Sequence, residues 1–364
     1  MNQPIYAVVM AGGRGERFWP KSRNARPKQL LKLTGDLTMI EETVSRIKDV
    51  TDVNHILVIT NREYVEVIRQ LLPELPEGNI VGEPAGRDTG PCAALAAALV
   101  KERGGGDAVM LLLPADHAIH RRRELAEVLR DAAAMATERP GCLVTVGVPP
   151  SGPETAYGYI HCGEEIGRIG LTRFFHSLGF KEKPDLERAR AFVEAGCYRW
   201  NSGMFIWQVA SLEEAFRRHA PELKELFDDL CTLLREGKFA TGLAERFSRA
   251  RRISIDYAVM EKAEDVAVAD CRFDWDDVGS WTALRNHLSI DGDGNAVEGL
   301  FAGIDTRNLT IMGSADHLIA AIGVEDLVIV NTDDVTLVCR ASEAQRIKEL
   351  LKLADTRPEL RKFL

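Results

Sequence analysis

The chain has 364 residues, 45% of them hydrophobic and 28% charged, which is typical of a globular protein with one large domain and a smaller one. Its formal net charge of -9 argues against a nucleic-acid coat, and no apolar run approaches the ~20 residues that cross a bilayer. The first six residues lack an export signal, and seven dispersed cysteines without a C-x-x-C pair favour reduced thiols. We therefore expect a cytoplasmic protein that has neither membranes nor nucleic acids as partners.

The first half of the chain alternates short β-branched runs with helix-period patterns. Strands are predicted over residues 5–10, 55–60, 108–113 and 142–148, and helices over 39–49, 63–72, 90–102 and 124–137. Alternating strands and helices predict an α/β fold, in which helices cover both faces of a parallel sheet. Ligands on such sheets bind at the carboxyl ends of the strands. The chemically unusual loops at these ends begin at Ala11, Gly82 and Pro114.

The second half changes character twice. Residues 157–207 are mixed, with a strand-like stretch over 203–207, and the patterns over 212–235 and 239–249 predict helices. A turn-rich junction at 291–295 precedes short predicted strands over 309–312, 318–322, 327–331 and 336–339, and then a helix over 342–354. We expect one domain over residues 1–290 and a small β-rich domain ending in a helix over residues 291–364.

A basic cluster follows the first predicted strand. Against the single acid Glu16, residues 14–32 contain seven cations: Arg14, Arg17, Lys21, Arg23, Arg26, Lys28 and Lys32. In an acidic protein such a cluster suits a compact polyanion, although a solvated loop explains it equally well from composition alone.

The loop that carries this cluster is rich in glycine. Gly12, Gly13 and Gly15 let backbone N–H groups approach a phosphate, and the arginines of the loop can fork onto phosphate oxygens. No Gly-Lys-Ser/Thr closes the loop, so it is not a Walker A motif. Phe18 replaces the last glycine of a dinucleotide fingerprint. Lys28, in a Pro-Lys pair, is placed to return to the same phosphates.

The motif Ala-Gly-Gly-x-Gly-x-Arg-x-x-Pro followed by Pro-Lys resembles the signature of the sugar-phosphate nucleotidyltransferases, and the fuller run resembles their mannose-1-phosphate guanylyltransferase branch. Further motifs match in family order over residues 83–89, 114–117, 153–160, 180–185, 200–205, 254–262 and 277–281. The resemblance is dense over about the first 285 residues and looser beyond them. Three departures are Ala156 in place of a usual glycine, an apparent insertion at 175–179, and an extra carboxylate at Asp276.

The resemblance implies a Rossmann-like nucleotidyltransferase domain with a mixed, mostly parallel sheet. It also implies transfer of GMP from GTP to α-D-mannose 1-phosphate, giving GDP-mannose and pyrophosphate with the help of Mg²⁺. Because the chain ends at Leu364, the isomerase activity of fused relatives is expected to be absent. The alternatives are another sugar phosphate or nucleotide on the same fold, or a non-catalytic subunit that binds nucleotide-sugar. The oligomeric state stays open, with a homodimer among the possibilities.

Site roles follow from the same resemblance. The expected catalytic residues are Arg17, Lys28, Asp116 and Lys183. The expected nucleotide-binding residues are Gly12, Gly13, Arg14, Gly15, Glu83, Pro84, Arg87 and Thr89. The expected sugar-phosphate-binding residues are Tyr157, Gly158, Glu182, Lys183 and Asn201. Asp116, just past a buried strand, and Asp277 are the expected Mg²⁺ ligands, with Asp274 and Asp276 competing for the second position.

Several residues keep two interpretations. Asn201 is favoured as a sugar ligand but could cap a turn, and Asp256 suits a position near the sugar or a helix N-cap. Thr89 could cap the helix predicted from residue 90. Surface salt bridges are the favoured interpretation of Arg23 and Lys32.

Overall fold

The structure of the protein, a computed structural model, describes residues 3–364. Its strands are β1 (Ile5–Ala11), β2 (Ile56–Asn61), β3 (Ile80–Glu83), β4 (Val109–Pro114), β5 (Leu143–Val148), β6 (Gly158–Ile169), β7 (Thr172–Glu182), β8 (Tyr198–Gln208), β9 (Val266–Asp270), β10 (Ala296–Glu298), β11 (Leu300–Ile304), β12 (Thr310–Met312), β13 (Leu318–Ile322), β14 (Leu327–Asn331) and β15 (Thr336–Arg340). Its α-helices are α1 (Met39–Ile47), α2 (Val65–Leu71), α3 (Thr89–Gly104), α4 (Arg122–Glu138), α5 (Leu186–Ala195), α6 (Val209–His219), α7 (Pro221–Arg235), α8 (Phe239–Arg249), α9 (Trp281–Leu284) and α10 (Ile347–Asp355).

The described chain forms two compact units that interleave in sequence. The first unit comprises residues 3–12, Thr43–Ala115 and Ile119–Trp275, and the second comprises Gly13–Glu42, Asp116–Ala118 and Asp276–Leu364. The basic, glycine-rich segment after β1 therefore belongs to the same unit as the C-terminal strands. The division of the sequence near residue 290 stays a prediction.

A mixed sheet organises the first unit. Within the described residues it has nine strands in the order β3-β2-β1-β4-β8-β5-β9-β7-β6. Strands β1 to β4 pair in parallel, as do β5 and β9, whereas β7 and β8 pair antiparallel with their neighbours. Seven of these nine described strands thus share one direction, which confirms the predicted mixed, mostly parallel sheet.

The register of the parallel strands aligns the loops that were predicted to bind ligand. Met10 of β1 pairs with Pro114 of β4, and Asn61 of β2 pairs with Glu83 of β3. Neighbouring parallel strands end at one edge of the sheet, so the chain leaves β1, β3 and β4 on the same side.

Helix α3 packs its small residues closely against the first unit's core. Every residue from Gly90 to Val100 is buried. A Cβ on Gly90 would lie 2.7 Å from the carbonyl oxygen of Ile253, so no larger residue fits there without movement. Enlarging the buried alanines of this helix would overpack the core, at a typical cost of about 1–3 kcal/mol.

The helix predicted over 212–235 is wrong as a single element. Helices α6 and α7 are separate, and Ala220 between them adopts φ -146° and ψ 68°. Proline disfavours helical geometry in the residue before it, whereas its fixed φ and missing N–H suit the first position of the next helix. Pro221 therefore ends one helix and begins the other.

The second unit contains the expected β-rich C-terminal part. In its described residues β10, β12 and β14 pair in parallel and β15 closes that sheet antiparallel, while β11 and β13 form a separate parallel pair. Sequence patterning missed β10 and β11, which are short. The helix predicted over 342–354 begins as a 3-10 turn, Ala341–Arg346, and continues as α10. Among residues 3–364, no helix has the length and apolar character needed to cross a membrane.

Candidate active site

The glycine-rich segment after β1 turns sharply at Gly15. This residue has φ 63°, and a Cβ there would overlap the Cβ of Lys28, so a glycine is required. The hydroxyl of Ser22 donates to the Gly15 carbonyl at 2.8 Å, and Phe18 is buried in the second unit's core. Gly13 and Arg14 are exposed, and Arg17 donates to Gln345 Oε1 at 3.3 Å. The segment thus folds back so that Gly15 lies against Lys28.

Lys28 links the two residues predicted to bind the metal. Its side chain is only 6% exposed. The ammonium donates to Asp116 Oδ2 at 2.9 Å, to the Asp116 carbonyl at 2.8 Å and to the Asp277 carbonyl at 2.6 Å. We call Arg17, Lys28, Asp116 and Asp277, all in the second unit, the phosphate cluster. The structure therefore brings together residues that are 88 and 249 positions apart in the sequence.

Charges around Asp116 keep its carboxyl ionised. Burial acts to raise the pKa of Asp116, but the Lys28 ammonium opposes it, with smaller contributions from His117 and Arg17, and the pKa lies below its ordinary value. The side chain keeps 41% of its surface exposed, so a ligand can approach it. An ionised, accessible carboxylate is the form that a hard cation needs.

The two carboxylates that competed with Asp277 have structural partners. Asp274 accepts hydrogen bonds from the backbone N–H groups of His120 and Arg121, in the first unit. Asp276, in the second unit, accepts from the Val278 backbone at 2.7 Å and lies 3.2 Å from His287 Nε2. These hydrogen bonds engage the Asp274 and Asp276 carboxylates, whereas the carbonyl of Asp277, the next residue, accepts from Lys28.

In the first unit, Glu83 ends β3 as a buried carboxyl. It is 5% exposed, and among the described residues its Oε1 atom has no hydrogen-bond partner. A Cβ on Gly12 would lie 3.2 Å from Glu83 Oε2, so the glycine leaves the carboxyl its space. Burial raises the pKa of Glu83 to about 8, although the Cys92 thiol beside it acts in the opposite direction. Glu83 is therefore mostly neutral at neutral pH.

The rest of the predicted nucleotide loop is tied to its own unit. Arg87 donates to the Ser248 carbonyl at 2.8 Å, and Pro84 is partly exposed. The prediction that Thr89 caps α3 is wrong. Asp88, at φ 70°, is the N-cap, and the Thr89 hydroxyl instead accepts from the Ile255 backbone at 2.9 Å.

The raised pKa of Glu83 predicts how pH changes stability. Between the unfolded pKa of about 4.5 and the folded pKa of about 8, the folded state holds one more proton than the unfolded state, so stability falls as pH rises. We expect Glu83→Gln to remove this slope, so that the variant gains stability relative to wild type from pH 5 to pH 8. Urea unfolding across this range measures the difference. Parallel pH profiles for the two proteins would refute a buried, protonated Glu83.

Four of the predicted sugar-phosphate residues meet in the first unit. Gly158 of β6 pairs with Glu182 of β7, and a Cβ on Gly158 would lie 2.6 Å from Glu182 Oε2 and 3.5 Å from Asn201 Cβ. Lys183 Nζ donates to Glu182 Oε1 at 2.6 Å. We call Gly158, Glu182, Lys183 and Asn201 the sugar cluster. Tyr157 adjoins it and packs edge-on against Trp200, with ring centroids 5.0 Å apart.

Asp256 lies against the sugar cluster and begins no regular α-helix. Asn201 Nδ2 donates to Asp256 Oδ1 at 2.7 Å, while Asn201 Oδ1 accepts from the Gly203 backbone at 3.1 Å. The amide of Asn201 therefore holds a turn and contacts Asp256 at once. Burial, reinforced by the nearby carboxylates of Glu182 and Asp88, raises the pKa of Asp256 despite the Asn201 hydrogen bond. Asp256 is the first residue of a single π-turn, Asp256–Met260, whose N-cap position is taken by Ile255.

Comparison with known proteins identifies the family of the chain. The nucleotidyl transferase family matches residues 6–293, and the MannoseP isomerase/GMP-like beta-helix domain matches residues 294–353. A mannose-1-phosphate guanylyltransferase from Sinorhizobium fredii is 38% identical over 96% of this chain and 67% of its own length. One from Escherichia coli is 39% identical over 96% of this chain and 73% of its own length.

A solved structure covers nearly the whole chain. The crystal structure named mannose-1-phosphate geranyltransferase, from Thermus thermophilus, is 35% identical and has a TM-score of 0.85, over 97% of this chain and all of that one. The family descriptions, the curated relatives and this fold agree. The chain is therefore an enzyme that belongs to the mannose-1-phosphate guanylyltransferase branch of the nucleotidyl transferase family.

Proposed function

We propose that the enzyme transfers GMP from GTP to mannose 1-phosphate, releasing pyrophosphate and GDP-mannose, with Mg²⁺ as cofactor. In this reaction an oxygen of the sugar phosphate attacks the α-phosphorus of GTP, and the bond from that phosphorus to the pyrophosphate oxygen breaks. Such chemistry depends on positioning and charge neutralisation rather than on a covalent nucleophile. The observation that carries the proposal is the phosphate cluster. In it the buried Lys28 donates hydrogen bonds to the Asp116 carboxylate and to the Asp277 carbonyl, which come from distant parts of the sequence.

The phosphate cluster supplies what a triphosphate and a hard cation need. The Asp116 carboxylate is ionised and partly exposed, and Lys28 and Arg17 place positive charge beside it. Oxygen donors of this kind fit Mg²⁺, which takes one or two carboxylates and completes its shell with phosphates and water. Among residues 3–364 there is no group of three or more His, Cys, Asp or Glu side chains that could hold a metal ion. When bound, Mg²⁺ would neutralise charge on the α-phosphate.

The protein's own groups take the remaining roles. Lys28 and Arg17 hold the triphosphate, and Arg14 neutralises the departing pyrophosphate. The Asp116 and Asp277 carboxylates would hold the cation. The loop from Glu83 to Thr89, in which Glu83 is a neutral carboxyl, selects the base. Seven free cysteines, all within the described residues, support a reducing compartment such as the cytosol.

The sugar cluster is assigned to mannose 1-phosphate. Glu182 and Asn201 present acceptors and donors to hydroxyl groups, which need both, and the backbone of Gly158 lies against the Glu182 carboxylate. Lys183 is 64% exposed, so its ammonium can leave Glu182 and grip the sugar phosphate.

Lys183→Ala is expected to weaken the binding of mannose 1-phosphate but not that of GTP. A charge-assisted contact to phosphate contributes about 1.5–3 kcal/mol, so the KM for mannose 1-phosphate should rise roughly 10- to 150-fold while that for GTP changes little. Steady-state kinetics with each substrate varied in turn measure the two constants. Lys181→Ala, two residues earlier in the chain and on β7, is a matched control. A rise confined to the GTP constant would place the sugar-phosphate site elsewhere.

A substrate matrix tests the proposed specificity. The purified enzyme is incubated with GTP, ATP, UTP or dTTP against mannose 1-phosphate or glucose 1-phosphate, with Mg²⁺, and pyrophosphate is quantified. The proposal predicts the highest kcat/KM for GTP with mannose 1-phosphate. A clear preference for another pair would assign the enzyme another substrate on the same fold.

A further inference from the structure

Arg23 follows the glycine-rich segment and is far more enclosed than a surface salt bridge. Its side chain is 17% exposed, whereas its partner Asp334 is 50% exposed. Arg23 Nε donates to the Pro20 carbonyl at 2.6 Å, Nη2 donates to Asp334 Oδ1 at 2.7 Å, and Nη1 donates to the Phe363 carbonyl. One guanidinium thus joins three separate stretches of the second unit.

A second side chain makes the same connection. Trp19 Nε1 donates to the Phe363 carbonyl at 2.7 Å, and the Trp19 carbonyl accepts from Trp281 Nε1 at 3.1 Å. Phe18 packs edge-on against Trp281, with ring centroids 5.0 Å apart. The stretch between Arg17 and Arg23 is therefore anchored to the C-terminal residues on one side and to the second unit's core on the other.

The anchored stretch connects directly to the phosphate cluster. Arg23 exchanges backbone hydrogen bonds with Arg26, at 2.9 and 3.0 Å, just before the Pro-Lys pair that places Lys28. On the other side, Ser22 bonds Gly15, which lies against Lys28. Moving Arg23 would displace both approaches to Lys28.

We propose that Arg23 is a positioning residue that ties the glycine-rich segment to Asp334 and Phe363 and so holds Arg17 and Lys28 where the triphosphate binds. This role rests on the proposed function. We assign Arg23 itself no contact with a substrate. A guanidinium suits the task because its planar fork satisfies several acceptors at fixed angles, which a lysine ammonium does not reproduce. Displacing a phosphate-binding group by about 1 Å can cost on the order of a hundredfold in rate.

The test compares four variants of the full chain: Arg23→Ala, Arg23→Lys, Asp334→Ala and, as a control, Arg26→Ala. Arg26 is an exposed cation of the same turn that has no assigned role. We expect Arg23→Ala to lower kcat/KM for GTP by about 10- to 100-fold while the KM for mannose 1-phosphate stays within about twofold. Arg23→Lys should recover part of the loss, Asp334→Ala should show a smaller loss in the same direction, and Arg26→Ala should match wild type.

The proposed function and the positioning role fail in different ways. A wild-type enzyme that forms no GDP-mannose overturns the proposed function, whatever the variants do. If wild type is active and Arg23→Ala matches Arg26→Ala, the positioning role is overturned. It is also overturned if Arg23→Ala impairs the use of GTP and of mannose 1-phosphate equally, as a purely structural defect would. If Arg23→Ala does not fold, Asp334→Ala, at a half-exposed position, decides between the outcomes. A loss of kcat/KM confined to GTP in Asp334→Ala supports the positioning role, and wild-type kinetics overturn it.

Discussion

Asp116→Asn is expected to lower kcat by about a thousandfold or more, roughly 4 kcal/mol of activation free energy, while the fold is kept. The substitution preserves size and removes the charge that faces Lys28 and the proposed cation. The loss should appear in kcat because charge on the α-phosphate is greatest in the transition state. Excess Mg²⁺ should restore activity only in part, since mass action restores occupancy but not ligand geometry.

Rates, Mg²⁺ titrations and thermal melting of Asp116→Asn measure these effects together. Asp274→Asn is the contrasting variant, because the Asp274 carboxylate accepts hydrogen bonds from backbone N–H groups. Its main effect should be a lower melting temperature, with a smaller effect on kcat. If Asp116→Asn melts like wild type and its kcat stays within about threefold, or ~0.7 kcal/mol, Asp116 has no part in catalysis. The metal role would then pass to Asp277.

Lys28→Met is expected to lower kcat/KM for GTP by about a hundredfold or more. Methionine keeps most of the apolar length of the lysine side chain, but it removes the ammonium, which lies 5.6 Å from the centroid of the Phe18 ring and faces Asp116 and the proposed triphosphate. A charge-assisted phosphate contact contributes about 1.5–3 kcal/mol, and the loss of a partner for the Asp116 carboxylate adds to it. The KM for GTP should therefore rise more than the KM for mannose 1-phosphate.

Kinetics of Lys28→Met with each substrate varied separate these effects. Lys28→Arg is the charge-preserving comparison. It should recover little of the lost activity, because the Lys28 side chain is only 6% exposed and the space around it is too small for the larger guanidinium. An unchanged dependence on GTP in Lys28→Met would contradict the assignment of Lys28 to the triphosphate.

Much of the fold follows from local sequence patterns. The runs that became β1, β2, β4 and β5 are continuous and apolar because these strands are buried, and their alternation with helices predicts the parallel sheet. The break at Pro221 was missed because apolar periodicity continues through α6 and α7, and only the backbone restriction at proline separates them. Short strands such as β10 have too few residues to show a period.

The candidate site was predictable in its residue types but not in its contacts. Gly15, Lys28 and Asp116 stand in recognisable motifs, but the hydrogen bonds that join Lys28 to Asp116 and Asp277 are tertiary. In the sequence Arg23 is indistinguishable from a surface cation, because its role depends on acceptors more than 300 positions away. Likewise, local sequence cannot show that Asp256 accepts a hydrogen bond from Asn201 rather than capping a helix.

The central claim, transfer of GMP through attack at the α-phosphorus, is tested most directly by tracing labelled GTP. The enzyme is given mannose 1-phosphate, Mg²⁺ and GTP labelled with ³²P at either the α or the γ position. We expect α-label to appear in GDP-mannose, γ-label to appear in pyrophosphate in equal amount, and neither to be released without mannose 1-phosphate. Release of γ-label as inorganic phosphate, or α-label that never reaches GDP-mannose, would contradict it.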